Sequence, residues 1–301
     1  MAVIEVRHLR YFRAVAEDLH FGRAAERLRI AQPALSRQIQ NLERELGVVL
    51  LARTQRSVAL TPAGALFLER TQRILDELIK CVADARRVQA GEYGHLTVGF
   101  IHSSTYGLLP AILERFRHLY PEVELELHEM TVADQIGALP RRQIDVGLLR
   151  PPVGDPEIKV QTILEERFLL AVPSKHALAA ERVISLQRLA RESFILFSRQ
   201  QSPLFHSRIL SMCERVGFVP HVVQHATQIH TIVGLVGAGM GIALVPETAS
   251  NLRISSVNFL EIAESPQPVE IALAWRMDKE TPALRSFRQV ATLVAQKMKM
   301  T

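Results

Sequence analysis

The sequence predicts an α/β protein with a helical N-terminal part, and three observations carry this prediction. Within residues 1–60, apolar residues at helical spacing predict three short helices, and a hairpin follows them. One long apolar stripe then predicts a helix over residues 61–90. From residue 95 onward, strand-like and helix-like segments alternate. Such alternation is typical of α/β architecture with mostly parallel sheets. A chain of 301 residues is long enough for two or three domains with cores of their own.

Composition narrows the class of protein. Nearly half of the residues, 48%, are hydrophobic and 22% are charged, which is typical of a soluble globular protein. No apolar run reaches membrane-spanning length, and residues 1–20 lack the apolar core of a signal peptide. We therefore expect a cytoplasmic protein with no membrane partner. Cys81 and Cys213 are far apart in sequence, which favours reduced thiols.

The basic charge is concentrated near the N-terminus. Residues 1–60 contain ten arginines, no lysine and six acidic residues, so they account for +4 of the chain's net charge of +5. Arginine has the planar fork that suits phosphate and guanine. The excess is small, and it becomes informative because it coincides with the third predicted helix.

A helix-turn-helix is predicted within this basic part. The three predicted helices are HLRYFRAVAEDL (8–19), FGRAAERL (21–28) and QPALSRQIQNLEREL (32–46). Pro33 suits the first turn of the third helix, where its missing N–H costs nothing, and Gly47 suits the position after its end. In a helix-turn-helix, the N-terminal residues of the last helix enter the major groove of DNA.

The exposed front of the third helix consists of amides, a hydroxyl and arginine, with no acid before Glu43. An acid there would repel phosphates, whereas these side chains can donate to phosphates and base edges. VVLLARTQRSVALTPAG (48–64) then reads as a wing hairpin around a polar tip. The alternative is a helical hairpin used only for protein contacts. The expected DNA-binding residues are Gln32, Pro33, Ser36, Arg37, Gln40, Arg53 and Arg56.

A long helix follows the hairpin. Thr61-Pro62 is a cap followed by a first-turn proline, and the apolar pattern persists to about Gln89. The stripe could pack on its own globular domain, but its length favours pairing with a second subunit. The expected dimerisation residues are Leu68, Leu75, Leu78 and Val82.

The remaining residues predict strands and helices in alternation. The predicted strands are 95–101, 123–130, 145–150, 167–173, 192–198, 219–225, 241–246 and 269–275, and the predicted helices are 103–120, 203–216, 230–239 and 282–298. Ligands of such folds bind at strand carboxyl ends and helix N-termini. Ser103, Ser104, Thr131 and Arg150 are at such junctions, although ordinary helix capping is the alternative for each hydroxyl.

Enzyme and cofactor signatures are missing. The glycines of VGAGMG (236–241) follow a helix into a strand, the reverse of the dinucleotide-binding order. The histidines at 206, 221, 225 and 230 have no established ligand spacing, and no GxSxG, HExxH or P-loop occurs. We therefore expect no catalytic residue, no metal and no cofactor.

The motifs LRYFRAVAE, FGRAAERLRIAQPALSRQIQNLERELGVVLLAR and LTPAG resemble the LysR-type transcriptional regulators of bacteria, and the similarity extends over the whole chain. The resemblance implies a winged helix-turn-helix domain (1–60), a dimerising linker helix (61–90) and an effector domain (91–301). That domain would have two lobes like a periplasmic binding protein, lobe I with 91–163 and 267–301, and lobe II with 164–266. Ala31 departs from the usual Ser or Thr before Gln-Pro, which would weaken the helix cap by about 1 kcal/mol.

Within the family, the C-terminal part is most similar to regulators of aromatic-acid catabolism that sense benzoate-, muconate- or chlorocatechol-derived acids. The similarity lies in TVGFIHSSTYGLLP, ELHEM, DVGLLR, SPLF and IVGLVGAGMGIALVPE. A threonine of those relatives falls on Val132, where this chain departs from the pattern. The effector-binding residues that the resemblance implies are Ser103, Ser104, Thr131, Arg150, Pro203, Phe205 and Thr227.

Two functions remain distinct at this point. The first is a regulator that binds promoter DNA as a dimer of dimers and responds to a small aromatic or unsaturated carboxylic acid. The resemblance adds RNA polymerase as a partner and the nucleoid as the location. The second is a solute-binding or enzymatic α/β protein with an accessory helical N-terminus. A secretion signal or an active-site motif would favour the second, and both are missing from the sequence.

Overall fold

The structure, a computed structural model, describes residues 4–54, 57–264 and 267–299. The chain divides into two compact units, Met1–Arg87 and Val88–Thr301. In the described part of the chain, no helix is long and apolar enough to cross a membrane.

The first unit contains three short helices, a hairpin and most of a long helix. Its elements are α1 (Val6–Asp18), α2 (Phe21–Leu28), α3 (Gln32–Leu46), β1 (Leu51–Arg53), β2 (Val58–Leu60) and α4 (Pro62–Ala90). The two strands pair antiparallel, with Arg53 opposite Val58. The predicted helix-turn-helix, hairpin and long helix are therefore confirmed, although α1 begins and ends slightly earlier than predicted.

The apolar stripes of α1, α2 and α3 meet in one core. This core contains Phe12, Val15, Ala24, Leu35, Ile39, Leu42 and Leu51, all almost fully buried. Left-handed residues end the helices, at Leu19 after α1, at Arg29 after α2 and at Gly47 after α3. Ala31 begins α3 without a side-chain cap, as its methyl group requires. The packing of these three stripes leaves the opposite face of α3 in solvent.

The fourth helix begins at a threonine cap. The Thr61 hydroxyl accepts from the Gly64 amide at 2.9 Å and donates to the Val49 carbonyl at 2.8 Å. A Cβ at Gly64 would lie 2.0 Å from the Leu50 carbonyl oxygen, so only glycine allows this helix to approach the hairpin so closely.

Two kinds of apolar residue occur along α4. Leu75 is only 3% exposed within the single chain, and Leu68 packs partly against the core of the first unit. Leu78 is half-buried and Val82 is exposed. Leu75 is therefore buried before any partner arrives, which differs from the expectation that all four residues form one seam.

The second unit alternates strands and helices. Its first half contains β3 (Tyr93–Phe100), a 3-10 helix (His102–Tyr106), α5 (Leu108–Leu119), β4 (Glu122–Glu129), α6 (Val132–Ala138), β5 (Val146–Leu149) and β6 (Ile158–Glu166). Its second half contains β7 (Phe168–Pro173), β8 (Val183–Ile184), β9 (Ser193–Phe197), α7 (Pro203–Arg215), β10 (His221–Ala226), α8 (Ile229–Gly237), β11 (Ala243–Pro246), β12 (Val257–Ile262), β13 (Val269–Arg276) and α9 (Pro282–Lys299). Short 3-10 helices occupy Ala177–Ala180, Leu186–Leu189 and Glu247–Leu252.

These strands form separate sheets in two lobes. The described strands of lobe I are ordered β4-β3-β5-β13-β6, and those of lobe II are ordered β11-β7-β12-β8 and β10-β9. Helices α5 and α9 cover the core of lobe I, and α7 and α8 cover the core of lobe II. The expected α/β architecture with two lobes is confirmed.

The prediction of mostly parallel sheets was wrong. Strand β3 is parallel to β4 and β5, but β13 is antiparallel to both β5 and β6. In lobe II, β7 is antiparallel to β11 and β12. The lobe I sheet is mixed because the chain returns to that lobe at the end and adds β13 in the opposite direction.

Two further details differ from the sequence predictions. Residues 158–166 form one edge strand, β6, so the chain leaves lobe I after Glu166 rather than at 163. The predicted helix 103–120 is divided at Gly107 into the 3-10 helix and α5, because glycine is a poor helix former. The hydroxyls at 103–105 therefore lie in the 3-10 helix and not in the first turn of an α-helix.

Candidate DNA-binding surface and effector cleft

The front of α3 is available for a partner. Gln32, Pro33, Arg37 and Gln40 are exposed and Ser36 is half-buried. Within the described residues, no hydrogen bond or ion pair engages these four polar side chains. Their donors are therefore free to reach phosphates and base edges.

The wing arginine Arg53 is not free. Its guanidinium lies 2.7 Å from a carboxylate oxygen of Glu43 and 5.0 Å from the ring centroid of Phe21. The other Glu43 oxygen accepts from the amides of Leu50 and Leu51. The Glu43 carboxylate thus connects α3 to the hairpin. A DNA phosphate would have to compete with this carboxylate for the Arg53 guanidinium. Arg56 lies outside the described residues.

The basic charge of the first unit comes from a subset of its arginines. Arg7, Arg13, Arg27 and Arg53 face acidic partners, and Arg23 donates to the Asp18 carbonyl. Among the described residues of 1–60, the arginines without a side-chain partner are Arg10, Arg29, Arg37 and Arg44. These four carry the charge that is free to attract a polyanion.

Arg44 extends the front of α3 by one turn. Positions 37, 40 and 44 share one helical face because they are three and four residues apart. The buried residues Leu35, Ile39 and Leu42 lie on the opposite face. Arg44 is absent from the predicted DNA-binding set, although its spacing from Arg37 was the signal that could have identified it.

A large cleft lies between the lobes of the second unit. Its volume is about 1100 Å³, at the upper end of the range for small-molecule sites. The cleft is lined by Ser103, Thr131, Arg150, Pro203, Phe205 and Thr227, all of them predicted effector-binding residues. Ser104 lies outside this lining, because its buried hydroxyl donates to the Ile101 carbonyl at 2.7 Å.

The predicted hydroxyls differ in what they can offer a ligand. Thr131 caps α6: its hydroxyl donates to the Asp134 carboxylate at 2.7 Å and accepts from the Asp134 amide at 3.2 Å. The Thr227 hydroxyl donates to the Gln201 side chain. Within the described residues, the Ser103 hydroxyl has no partner. Ser103 is therefore the predicted hydroxyl with its donor free.

The expected charge of Arg150 is already neutralised. A guanidinium nitrogen lies 2.6 Å from the Glu166 carboxylate, and both side chains are almost fully buried, 4% and 5% exposed. A second nitrogen donates to the Glu270 carbonyl at 3.4 Å, and the Phe205 ring centroid lies 5.0 Å from the guanidinium carbon. The buried Nε of Arg150 has no partner within the described residues.

Two α-helices of lobe II begin at the cleft without side-chain caps. Ser202 precedes α7 and Gln228 precedes α8, and neither side chain accepts from its own helix. Both residues line the cleft. The free amides at these helix starts give the lobe II wall a positive potential.

An apolar surface adjoins these helix starts. Phe197 and Phe205 stack with ring centroids 4.5 Å apart. Ile101, Met130 and Ile136 line the lobe I side. Such a surface suits the flat apolar body of a ligand.

A cluster of rings joins the lobes beside the cleft. The Tyr106 hydroxyl lies 3.1 Å from Nδ1 of His230, and the His102 and His230 ring centroids are 5.0 Å apart. His102 in turn contacts the Glu129 carboxylate at 2.9 Å. Burial raises the pKa of the Tyr106 hydroxyl, against the opposing effect of its contact with His230. These residues were not predicted, since nothing in the sequence brings 102 and 230 together.

No metal centre occurs in the part of the chain that the structure describes: no group of three His, Cys, Asp or Glu side chains is arranged to hold an ion. The His206 and His225 rings lie 6.0 Å apart, and His206 contacts the Phe197 carbonyl.

A helix-turn-helix with a free polar front, in a chain that also carries a two-lobed unit with a large cleft, defines a DNA-binding regulator with an effector-binding domain. Two family models match the chain. "Bacterial regulatory helix-turn-helix protein, lysR family" matches residues 6–65, and "LysR substrate binding domain" matches residues 89–295. The chain therefore belongs to the LysR family of bacterial transcriptional regulators and is not an enzyme.

Relatives agree over nearly the whole chain. The HTH-type transcriptional regulator AlsR of Bacillus subtilis (strain 168) is 37% identical over 288 residues, covering 96% of this chain and 95% of that protein. The structure of full-length CbnR with its target DNA matches with a TM-score of 0.85 at 30% identity, covering 97% of this chain and 100% of that chain. The BenM effector binding domain with its effector benzoate matches with a TM-score of 0.63 at 26% identity, covering 69% of this chain and 95% of that chain.

Proposed function

We propose that this regulator responds to a small carboxylic acid, aromatic or unsaturated, that binds in the cleft between the lobes. The observation that carries the proposal is the convergence on one cleft of two uncapped helix N-termini, the free Ser103 hydroxyl and the Phe197–Phe205 stack. The helix starts and Ser103 would hold the carboxylate, and the rings would cover the apolar body. The benzoate-bound BenM domain supports this assignment by similarity of fold and sequence.

The role of Arg150 in this proposal is indirect. Because Glu166 already neutralises it, Arg150 would respond to the ligand's charge without forming its main ion pair. Glu166 ends β6 and Glu270 lies at the start of β13, the two strands beside the crossings between the lobes. A ligand that displaces Arg150 would therefore alter the segments about which the lobes close.

Calorimetry on the full-length chain tests the acid. Benzoate is a suitable first probe, titrated into wild type, Ser103→Ala and Ser104→Ala. Loss of a hydrogen bond to a charged group costs about 1.5–3 kcal/mol, so Ser103→Ala should weaken binding by roughly tenfold or more. Ser104→Ala is the matched control, since that hydroxyl donates to the Ile101 carbonyl outside the cleft lining. Equal weakening in both variants, or none in either, would contradict the proposed carboxylate position.

DNA recognition is proposed for the front of α3. Gln32, Pro33, Ser36, Arg37 and Gln40 would contact base edges and adjacent phosphates of double-stranded promoter DNA. Arg53 and Arg56 would contact the DNA backbone from the wing. The free donors of the α3 front support this assignment.

Self-association is proposed for α4. Ile74, Ile79 and Val82 remain 54%, 63% and 46% exposed in the single chain, an apolar surface that a second linker helix would cover. Two such dimers would present their DNA-binding domains to one promoter in the cytoplasm, at the nucleoid, where the regulator would meet RNA polymerase. The domains proposed for these roles are 1–60, 61–90 and 91–301, and the first crossing from lobe I to lobe II follows Glu166.

A further inference from the structure

The cleft is lined by more acidic than basic side chains, and this excess limits the number of negative charges that a ligand can carry. Arg150 carries the positive charge, whereas Glu129 and Asp134 also line the cleft and are negative. The buried Glu166 carboxylate neutralises the charge of Arg150, with Oε2 lying 2.6 Å from a guanidinium nitrogen. Three carboxylates, Glu129, Asp134 and Glu166, therefore stand against the single guanidinium of Arg150 before any ligand arrives.

This balance leaves room for one carboxylate and not for two. The helix starts at Ser202 and Gln228 offer a positive potential on the lobe II wall. On the lobe I wall, Glu129 is negative, so a second ligand carboxylate placed there would meet a like charge. A ligand that spans the two walls should therefore be anionic at one end only.

The lobe I wall offers acceptors instead. Oε1 of Glu129 lies 2.9 Å from Nδ1 of His102, which fixes the carboxylate at the edge of the cleft. Within the described residues, Oε2 of Glu129 has no hydrogen-bond partner. A carboxylate oxygen that is held in place with free lone pairs is a strong acceptor for an O–H group.

We infer that the effector is a hydroxylated aromatic monocarboxylate, whose carboxylate lies between the Ser103 hydroxyl and the starts of α7 and α8 and whose hydroxyl donates to Glu129. The inference rests on the proposed function and narrows its ligand class. The volume of about 1100 Å³ accommodates such a ring with its substituents. Because Ser103 and Glu129 belong to lobe I and the starts of α7 and α8 to lobe II, this ligand would contact both lobes and draw them together.

Calorimetry with a panel of acids tests the inference on the full-length protein. The probes are benzoate, 3-hydroxybenzoate, 4-hydroxybenzoate and cis,cis-muconate. At least one hydroxybenzoate should bind at least tenfold more tightly than benzoate, and muconate should bind most weakly. Glu129→Ala should remove the advantage of the hydroxyl and strengthen muconate binding. Glu124→Ala is the matched control, since Glu124 is exposed on the same strand and lies outside the cleft lining.

The outcomes separate the inference from the proposed function. If benzoate binds but neither hydroxyl improves affinity, or if muconate binds most tightly, the hydroxylated monocarboxylate is wrong and the carboxylic-acid cleft stands. An unchanged ratio of hydroxybenzoate to benzoate affinity in Glu129→Ala also overturns the inference. If none of the four acids binds, both the inference and the proposed function fail.

Discussion

The arginines of the first unit differ in their contacts, although they are the same residue type. Some are paired with acidic side chains and others are not. Arg27 bonds to Glu17 and Asp18 and Arg53 bonds to Glu43, so these side chains hold helices and hairpin together. Arg37 and Arg44 have no such partner within the described residues and share one face of α3. The paired arginines contribute to the fold, and the unpaired ones are those that we propose attract DNA.

Arg44→Ala should weaken DNA binding without changing sequence preference. A phosphate contact releases counterions, so its loss should reduce the slope of log affinity against log salt by about 1. Arg13→Ala is the control, because Arg13 faces Glu17 in an exposed helical pair. The measurement is a mobility shift at several salt concentrations. A salt slope equal to that of wild type would show that Arg44 makes no phosphate contact.

Arg37→Ala should behave differently, because Arg37 lies in the N-terminal half of α3, the part of the recognition helix that we propose enters the major groove. We expect a loss of about 1–3 kcal/mol at the specific site and a relaxed preference at the base it reads. Selection of binding sites from a randomised pool would measure that preference. An unaltered preference would remove Arg37 from the set of base-reading residues.

The two thiols should differ in reactivity. Cys81 is exposed, whereas Cys213 is buried in the core of lobe II, and burial raises the pKa of its thiol to about 12. The reactive species is the thiolate. At pH 8, a thiol reagent should therefore modify one cysteine in the native protein and the second only after unfolding. Rapid modification of both in the native state would contradict the packing around Cys213.

Residue roles were predictable from the sequence only where spacing decides them. Helical spacing predicted the α3 front, although Arg44, which has the same spacing, was left out of the predicted set. Spacing could not distinguish Ser103 from Ser104, because only the folded chain shows that the Ser104 hydroxyl donates to the Ile101 carbonyl while Ser103 lines the cleft. Nor could it show that Glu166, sixteen residues after Arg150, neutralises that arginine. Such contacts depend on tertiary packing.

At the scale of elements, the apolar stripe of α4 has two parts. One part is buried within the single chain, and the other is exposed and free to contact a second subunit. Leu75 is buried in the single chain and Val82 is 46% exposed. A seam of four residues at heptad spacing was the expectation from sequence, which cannot tell which part of a stripe packs within its own chain. The exposed residues are therefore the ones to test for association.

Val82→Glu should reduce self-association without unfolding the chain. A charge in an apolar interface is strongly unfavourable, whereas the same charge on a solvent-exposed helix costs little. Leu75→Ala is the contrasting variant: it should lower the free energy of unfolding by about 2–5 kcal/mol through loss of buried contacts. Analytical ultracentrifugation and thermal unfolding measure the two effects. An unchanged oligomer in Val82→Glu would show that this part of α4 does not form the interface.

Strands were predicted less completely than helices. Buried strands such as β7 are nearly continuous apolar runs and were predicted at the right place. The edge strand β6 was missed because its polar and apolar residues alternate irregularly, and its pairing with β13 shifts register between Ile271 and Ala272. Its absence from the prediction displaced the expected crossing between the lobes.

At the scale of the whole second unit, the Arg150–Glu166 pair links the cleft to both crossings between the lobes. Glu166→Gln should destabilise the chain by about 3–5 kcal/mol, because it leaves a buried guanidinium uncompensated. Replacing both residues by apolar side chains, as in Arg150→Met with Glu166→Leu, should restore much of that stability. Chemical denaturation measures both. Equal stability of Glu166→Gln and wild type would mean that Arg150 finds another partner.

At the scale of the whole molecule, we propose that an acid bound in the cleft controls how this regulator binds DNA. DNase I footprinting on the DNA upstream of its own coding region, with and without an acid that calorimetry shows to bind, tests this claim most directly. We predict that the acid changes the pattern of protection for wild type and Ser104→Ala, and that Ser103→Ala requires at least tenfold more acid for the same change. A footprint that the bound acid leaves unaltered, or one that responds equally in all three proteins, would contradict the account.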